Sequence, residues 1–332
     1  RRRQRQMCIR DRYILFCNLT HYKYLFLIFL LVACGGGGGS SSTPEMPSSS
    51  KNNAPFFINT ISEIEIDELQ TEVVTIEADD SDGDILRYSL SGDDPSYFSI
   101  SSNGEITFNE VPSYQVKNEF SITIEVTDNI DSASQQLKIY LLRVCDELLL
   151  GYKVCFEEEN LTITYDRQSD YPTWQDWDGD CQNNRHEVLI NEHIDDDQNH
   201  PLVLSSDNCY VNSGKWYDPY DSIYFYKSSE VQIDHVVALY EAHKSGAWYF
   251  PAARKLKFAN NIDFDDLLIA VGGSSNSKKS SFDPASWMPS NIDYSCEYLR
   301  KWLNIKAEFR LSVDEDEKIA IESLYETNNC SI

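Results

Sequence analysis

The sequence predicts a multidomain chain in which an all-β sandwich precedes an α+β half. Between residues 55 and 143, short runs of alternating apolar and polar residues recur between turn signals such as Asn103-Gly104. Alternation with a period of two is typical of half-buried strands. From about residue 146 long, aromatic-rich loops take over, and helical spacing dominates after residue 284. A chain of 332 residues is long enough for two domains after a leader.

The first 54 residues predict a leader rather than a folded domain. Residues 1–12 are unlike the rest of the chain and are interpreted as a non-native extension. Residues 13–34 contain an apolar run that ends at Cys34. The run is about half of the ~20 residues that a membrane-spanning helix needs, and its length suits a signal peptide. Residues 35–54, rich in Gly and Ser, predict a flexible tether.

The sequence L-V-A-C followed by five glycines resembles a bacterial lipoprotein signal. The resemblance implies that Cys34 is lipidated and begins the mature chain. Gly35 in place of Asp implies the outer membrane or the cell surface. The mature chain would then have no transmembrane helix and would contact the membrane through its lipid anchor only. An ordinary secretory signal with an incidental cysteine is the alternative.

Six cysteines follow the leader, and an even number in an exported chain indicates disulfides. The sequence leaves their pairing open, although proximity along the chain suggests three pairs. These are Cys145 with Cys155, Cys181 with Cys209, and Cys296 with Cys330. A zinc site is the competing interpretation, but no C-x-x-C spacing supports it.

Seven alternating runs predict the strands of the sandwich. They lie at 64–66, 73–76, 86–90, 98–100, 106–108, 120–126 and 137–141.

The same region resembles a cadherin-like repeat in N-A-P-F-F at 53–57, A-D-D-S-D-G-D at 78–84, G-E-I-T-F at 104–108 and V-T-D at 126–128. The resemblance implies Ca²⁺ bound by clustered carboxylates, because converging carboxylates repel one another unless a hard cation lies between them. The candidate ligands are Glu68, Asp80, Asp82 and Asp128. Ser113-Tyr114-Gln115 replaces the acidic motif expected there. Acidic turns that bind no ion are therefore an equal alternative.

The second half begins near residue 146 and contains the clearest helices. Tyr298, Trp302, Ile305 and Phe309 share one face of a helix predicted over 297–309. Ser312 followed by Glu315 is a capping-box signal for a last helix that ends near Tyr325. These patterns predict an α+β domain over residues 146–332.

The charge distribution gives conflicting indications about function. A net charge of -26 argues against a polyanionic partner, which is usually bound by Lys and Arg. Residues 235–310, however, hold 10 Lys or Arg against 8 Asp or Glu. Their basic residues predict either a nucleic-acid face or an ordinary solvated face of mixed charge.

The pattern Ile233-Asp234-His235 predicts a strand that ends in an acid and an imidazole, and Asn276 follows some forty residues later at a predicted helix start. Hydrolysis of a phosphodiester needs a base to activate water and a cation to neutralise charge. A neutral imidazole with a pKa near 6.5 can accept that proton. Oxygens of Asp and Asn suit one Mg²⁺ or Mn²⁺ ion. The pattern therefore predicts a ββα-metal site.

Residues from about 165 to 330 resemble the HNH, or His-Me finger, nucleases of secreted bacterial proteins. The landmarks are W-D-G-D-C at 177–181, R-H-E-V-L at 185–189, G-K-W-Y-D-P-Y at 214–220, I-D-H-V-V-A-L at 233–239, F-A-N-N at 258–261, N-S-K-K at 276–279 and D-P-A-S-W-M-P at 283–289. The resemblance implies an endonuclease that acts on DNA, RNA or both. No recognition helix or zinc-finger pattern is visible, so we expect low sequence specificity.

The resemblance also implies residue roles. His235 is the general base, and Asp234 and Asn276 bind the metal. Lys279 contacts phosphate or stabilises charge, and either Asn260 or Asn261 orders the loop. Supporting roles near the site fall to Arg185 and Glu187. Ser280, Ser281 and Ala238 depart from the family pattern without altering the proposed base or ligands.

Three alternatives remain open. Asp176, Asp178, Asp180 and Glu187 have the spacing of a calcium loop, but Cys181 replaces the glycine that the sharp turn favours. The second alternative concerns function: the protein is a surface adhesion lipoprotein with an inactive nuclease-like domain. A plasmid cleavage assay distinguishes this alternative from an active enzyme. An effector against rival cells is the third. The substrate preference, the oligomeric state and the biological role stay undetermined by sequence.

Overall fold

The computed structural model describes residues 51–172 and 174–331. The predicted extension, the lipoprotein signal with Cys34 and most of the tether lie outside the described residues. Within the described residues, no helix is both long and apolar enough to cross a membrane.

Residues 51–142 contain nine strands, because alternating Ile, Val and Phe side chains can all be buried on one side of each sheet. Their bounds are β1 (Phe56–Phe57), β2 (Glu63–Asp67), β3 (Glu72–Thr75), β4 (Ala78–Asp79), β5 (Arg87–Ser91), β6 (Phe98–Ile100), β7 (Glu105–Phe108), β8 (Glu119–Thr127) and β9 (Ser132–Leu142). One sheet has the order β2-β9-β8-β5, the other has the order β3-β7-β6, and β1 pairs with β4. Ile106, Ile124 and Leu137 are fully buried in this core.

Six of the seven predicted strands occur within one or two residues of the expected bounds, and the strand predicted at 137–141 begins five residues earlier, at Ser132. The sequence missed β1 and β4, two-residue strands that are too short to show a period of two.

The second part mixes short strands with helices around a separate core. Its strands are β10 (Glu147–Leu149), β11 (Tyr152–Phe156), β12 (Val203–Leu204), β13 (Val211–Asp218), β14 (Ile223–Lys227), β15 (Val231–His235), β16 (Leu268–Gly272) and β17 (Ser312–Val313). Its helices are α1 (Arg167–Asp170), α2 (Asn184–Asn191), α3 (Leu239–Lys244), α4 (Ala252–Asn260), α5 (Gly273–Lys279), α6 (Ser295–Glu308) and α7 (Glu315–Thr327). The sheets are β10-β11-β17, β12-β13-β14 and β15-β16.

Helix α6 runs through the middle of this core. Tyr298, Trp302 and Ile305 are fully buried, and Phe309 follows the helix at 5% exposure, as their spacing predicts. The predicted cap of the last helix was wrong. Asp314, not Ser312, accepts the capping bond from the backbone of Glu317, because Ser312 belongs to β17.

The three disulfides have the pairing that proximity suggested. Cys145 bonds to Cys155, Cys181 to Cys209, and Cys296 to Cys330. The bonds close loops with sequence separations of 10, 28 and 34 residues. Each therefore restrains a local segment of the second part.

Residues 51–332 form one compact unit, and several contacts join the sandwich to the second part. The ring of Tyr249 lies 5.3 Å from that of Tyr114, and Asn118 donates to the Tyr249 carbonyl. Two ion pairs add to this interface, Arg254 with Glu65 at 3.7 Å and Arg310 with Asp67 at 2.6 Å.

Candidate active site

The frame of the site is a pair of antiparallel strands followed by a helix. His235 ends β15 and pairs with Leu268 at the start of β16. Helix α5 begins directly after β16, so Asn276 lies on the first helix beyond the strand pair. The structure therefore has the predicted order of a strand ending in Asp-His and a later helix that carries the Asn.

The imidazole of His235 has a defined orientation and protonation pattern. Its Nε2 lies 2.9 Å from the carbonyl oxygen of Ala259, and a carbonyl only accepts, so Nε2 carries the proton. The ring of Trp174 stacks on it at 5.6 Å between centroids, with 3° between the planes. Nδ1 is therefore the nitrogen with a free lone pair.

Nδ1 of His235 is open to an incoming proton. It makes no hydrogen bond within residues 51–172 and 174–331. Other polar atoms of that part of the chain are both unpartnered and fully buried, but Nδ1 of His235 is not one of them, so it is accessible to solvent. The side chain as a whole is nevertheless only 7% exposed, and burial lowers its pKa to about 3. The expected pKa near 6.5 was therefore too high for this environment.

Asp234 lies beside His235 in the sequence but points into a polar cluster. Its Oδ2 accepts from the Tyr220 hydroxyl at 2.8 Å, and its Oδ1 accepts from the Lys279 ammonium at 3.1 Å. Burial raises the pKa of the Asp234 carboxyl above its usual value, while Lys279 and Tyr220 favour the charged form. The carboxylate is thus held by two partners at 5% exposure.

Lys279 lies inside the fold, where it stabilises the charge of Asp234. Its side chain is fully buried, and its ammonium donates to the His235 carbonyl at 2.9 Å as well as to Asp234. A buried ammonium between these groups does not contact a phosphate in this conformation. Its position instead joins α5 to the end of β15.

Asn276 lies at the surface end of this arrangement. Its Nδ2 donates to Gln232 Oε1 at 2.8 Å, and its Oδ1 makes no hydrogen bond to any described residue. Gln232 and Asp234 are two residues apart on β15, so their side chains share one face about 7 Å apart. The structure therefore brings Asn276 near Asp234 without a direct contact.

These donors fit the chemistry of a hard divalent cation. The carboxylate of Asp234 is oriented by hydrogen bonds, as ligating carboxylates generally are. The Oδ1 of Asn276 is an unengaged amide oxygen whose direction is set by the bond from its Nδ2 to Gln232. Oxygen donors of these two kinds are those that Mg²⁺ and Mn²⁺ prefer.

Arg185 and Glu187 lie on α2, away from the imidazole. Arg185 donates to the carbonyls of Ser228 and Val231, and Val231 begins β15, about 13 Å along the strand from His235. Glu187 accepts from Asn184. Burial and the acidic loop before α2 raise the pKa of Glu187. Arg185 therefore supports the strand, and neither side chain is hydrogen-bonded to His235 or Asp234 in the described part of the chain.

The two loop asparagines have different roles. Asn260 is buried, and its Oδ1 accepts from the backbone of Gln175 while its Nδ2 donates to Leu256. Asn261 caps only the local turn, by accepting from the backbone of Asp263. Asn260 is thus the residue that joins the segment carrying Trp174 to the helix carrying Ala259.

Most basic residues of the cluster at 235–310 form ion pairs, as residues on an ordinary face of mixed charge do. Arg254 pairs with Glu65, Lys255 with Asp170, Lys278 with Asp221, Lys279 with Asp234, Arg300 and Lys301 with Asp266, Lys306 with Glu241, and Arg310 with Asp67. Lys257 is the member of the group without an ion pair in the described part of the chain. The cluster in the sequence was therefore a poor guide to surface charge.

The four cadherin-like candidates do not meet at one point. Asp80 and Asp82 share the turn after β4, and Asn52 donates to Asp128 near the same end of the sandwich. Glu68 lies beside Leu142 at the far end of β9, about 33 Å along the strand from Ser132. Its carboxylate accepts from the backbones of Tyr114 and Val144. Glu68 therefore cannot share an ion with the other three.

The acidic loop before α2 has one feature that the sequence argument misjudged. Asp176, Asp178 and Asp180 place one oxygen each within 4.8 Å of one another. Cys181, expected to resist a left-handed turn, adopts φ = 75°. The residue type at that position is thus no objection to the loop geometry, although all three carboxylates are exposed.

Two buried residues of the site were missed by sequence reasoning. Asp218, at the end of β13, accepts from the backbones of Tyr220 and Gly272 and from the Ser275 hydroxyl. Tyr220 contacts Asp234 directly. Both lie in the landmark G-K-W-Y-D-P-Y, and a buried Asp next to Pro-Tyr was the available signal.

Glu192, the residue directly after α2, supplies a testable dependence of stability on pH. Its carboxylate accepts from the Ala270 backbone on β16, and burial raises its pKa to about 7 from 4.5. The pKa of Glu192 is higher in the folded protein than in the unfolded chain. Its contribution to the unfolding free energy is therefore fully present below pH 4.5 and is lost as the pH rises through 7. We expect Glu192→Gln to remove this loss, which is at most about 3 kcal/mol.

The measurement is the urea unfolding free energy at pH 5 and pH 8. The exposed Glu308→Gln is the matched control and should keep the slope of the wild type. Equal pH dependence in all three proteins would contradict the prediction.

The fold and the strand-end Asp-His pair define a ββα candidate active site, and comparison with known proteins identifies the family. The family described as GmrSD restriction endonucleases, C-terminal domain, matches residues 184–322. A protein of Arthroderma benhamiae (strain ATCC MYA-4681 / CBS 112371), described as an uncharacterized secreted protein, is 36% identical over 157 residues. That match covers 47% of this chain and 72% of the relative. The chain belongs to the GmrSD C-terminal domain family.

Solved structures similar to part of the chain include cadherins. Human protocadherin-24 EC1-2 has a TM-score of 0.26 and 23% identity, and it covers 28% of this chain and 44% of its own. Drosophila N-cadherin EC1-4 has a TM-score of 0.26 and 22% identity, covering 27% and 25% respectively. The chain spans less than half the length of these two structures.

Proposed function

We propose that this protein is a metal-dependent endonuclease that hydrolyses phosphodiester bonds of DNA or RNA with low sequence specificity. Membership of a family named for restriction endonucleases supports the reaction class. The observation that carries the proposal is the orientation of His235, whose Nε2 is fixed by the Ala259 carbonyl while Nδ1 keeps an open lone pair. Such an imidazole is arranged to accept a proton.

The proposed step follows from this geometry. Nδ1 of His235 takes a proton from a water molecule, the water oxygen bonds to phosphorus, and one phosphorus–oxygen ester bond breaks. The departing oxygen takes its proton from solvent. Burial lowers the pKa of His235, which keeps the Nδ1 lone pair free throughout the neutral pH range and at the same time weakens the imidazole as a base. Trp174 holds the ring plane by stacking.

Asp234 and Asn276 would hold one Mg²⁺ or Mn²⁺ ion. A bound ion of this kind neutralises charge that develops on the phosphate. Lys279 and Tyr220 keep the Asp234 carboxylate in one orientation, and Gln232 does the same for the Asn276 amide.

The location and the first domain are part of the same proposal. A secreted relative supports export, and the three disulfides suit an oxidising compartment. We propose that Cys34 carries the lipid anchor and that the anchor holds the protein at the outer membrane or the cell surface. In the cadherin-like sandwich, any Ca²⁺ would lie at the end that carries Asp80, Asp82 and Asp128.

The test is cleavage of supercoiled plasmid and of single-stranded RNA by the purified protein. We expect cleavage with Mg²⁺ or Mn²⁺ and none in excess chelator. Asn276→Ala should raise the metal concentration needed for half-maximal rate by about 10-fold or more. Ser277→Ala, one residue along α5 and exposed, is the matched control and should behave as wild type.

The same experiment separates the competing function. A folded wild type that cleaves neither substrate under any metal condition would support a surface adhesion protein with an inactive nuclease-like domain. Cleavage that persists unchanged in chelator would instead remove the metal from the proposal.

A further inference from the structure

The hydroxyl of Tyr220 contacts the carboxylate of Asp234, which is a metal ligand in the proposed function. It donates to Asp234 Oδ2 at 2.8 Å, and both side chains are buried. Lys279 reaches the same carboxylate from α5. Asp234 therefore has one neutral and one charged donor, supplied by two different parts of the chain.

Tyr220 is locked in place by its surroundings. Its side chain is 0% exposed, and its ring meets Trp287 and Tyr298 edge-on at 5.2 and 5.7 Å. Its backbone nitrogen donates to Asp218 Oδ1 at 2.8 Å, and its carbonyl accepts from the Asn291 backbone at 2.9 Å. These contacts fix the Tyr220 hydroxyl in an orientation that points to Asp234.

Asp218 links this tyrosine to the helix that carries Asn276. One of its oxygens takes the Tyr220 backbone bond, and the other accepts from Gly272 at 2.9 Å and from the Ser275 hydroxyl. Gly272 ends β16, and Ser275 lies in the first turn of α5. A single buried carboxylate therefore fixes Tyr220 and the start of α5 relative to each other.

A neighbouring tyrosine shows that packing alone does not require a hydroxyl here. Tyr298 is also fully buried and packs on Tyr220, yet its hydroxyl has no hydrogen-bond partner in the described structure. A buried hydroxyl without a partner loses its bonds to water and gains none. The hydroxyl of Tyr220, in contrast, contacts an acidic group of the site.

We propose that Tyr220 is a positioning residue for Asp234, and that Asp218 couples it to the placement of Asn276 on α5. This inference rests on the proposed function. Partners that hydrogen-bond a ligating carboxylate orient it, and their loss typically costs 10- to 100-fold in metal affinity or activity. Tyr220 acts through Asp234 and does not itself contact substrate.

The test compares Tyr220→Phe with Tyr298→Phe in the full chain. Each variant loses one buried hydroxyl from neighbouring rings, but only the first loses a bond to Asp234. Mn²⁺ affinity is measured by electron paramagnetic resonance, and kcat and KM are measured on plasmid. For Tyr220→Phe we expect Mn²⁺ affinity and kcat to fall about 10-fold or more, with KM within about twofold. Tyr298→Phe should match the wild type in all three.

A second variant guards against misfolding. Ser275→Ala removes one contact between Asp218 and α5 and leaves the Gly272 bond in place. We expect a smaller loss of Mn²⁺ affinity, about threefold, with the thermal transition retained. Tyr220→Phe that matches Tyr298→Phe in Mn²⁺ affinity and kcat overturns the inference. A wild type that neither binds Mn²⁺ nor cleaves overturns the proposed function itself, so the two failures are distinguishable.

Discussion

Replacing His235 with alanine is expected to lower the rate of phosphodiester cleavage by about 10²- to 10⁴-fold. The reason is that Nδ1 of this ring is the open proton acceptor of the site, while Nε2 is engaged by Ala259. Mn²⁺ affinity should change little, because the imidazole makes no contact with Asn276 or with the Asp234 carboxylate. Single-turnover cleavage and a Mn²⁺ titration measure the two effects.

The pH dependence gives this prediction a second readout. Burial lowers the pKa of His235 to about 3 from 6.5, so the folded protein keeps the imidazole neutral above about pH 4. We expect no histidine titration between pH 5 and 8 in the nitrogen-15 spectrum of the ring in metal-free protein. A His235 titration near pH 6.5, or full activity of the alanine variant, would refute the assignment.

Replacing Lys306 with methionine is expected to cost about 3–5 kcal/mol of unfolding free energy. Lys306 is fully buried, and its ammonium lies 2.7 Å from Glu241 and 3.1 Å from Glu317. Its other partners are the Ser245 hydroxyl and the Ser312 carbonyl. Burial alone would lower the pKa of Lys306, but Glu241 and Glu317 raise it above its usual value. Removal of the cation leaves Glu317 without a cationic partner and Glu241 with Lys244 alone, at 3.2 Å.

The control for this prediction is Lys318→Met. Lys318 pairs with Glu315 at 3.8 Å on the surface, and exposed pairs of this kind contribute at most about 1 kcal/mol. Urea unfolding at neutral pH measures both variants. Similar small losses in the two proteins would show that the buried cluster contributes little to stability.

How far the sequence predicted the fold depends on the length of each pattern. β8 and β9 have nine and eleven residues, long enough for the alternation of buried and exposed side chains to be visible. Helix α6 was likewise visible from the spacing of Tyr298, Trp302 and Ile305. Two-residue strands such as β1 carry no period, so they could not be predicted.

The site was predicted in part for a similar reason. The pattern Asp234-His235 at a strand end and Asn276 on a later helix are local features, and the structure has both. Burial, however, depends on distant residues. Lys279 and Lys306 are buried, and each contacts an acidic side chain far away in the sequence, Asp234 and Glu241 respectively. Tyr220 and Asp234 are 14 residues apart in the sequence, and no periodic pattern of residues indicates that their side chains are in contact.

Helix α4 links the sandwich to the candidate active site. At its start, Arg254 reaches Glu65 of the sandwich, and at its end the carbonyl of Ala259 holds the ring of His235. Just before the helix, Tyr249 rests on Tyr114. We therefore expect a protein that lacks residues 51–142 to lose these two contacts, which brace the helix that carries Ala259.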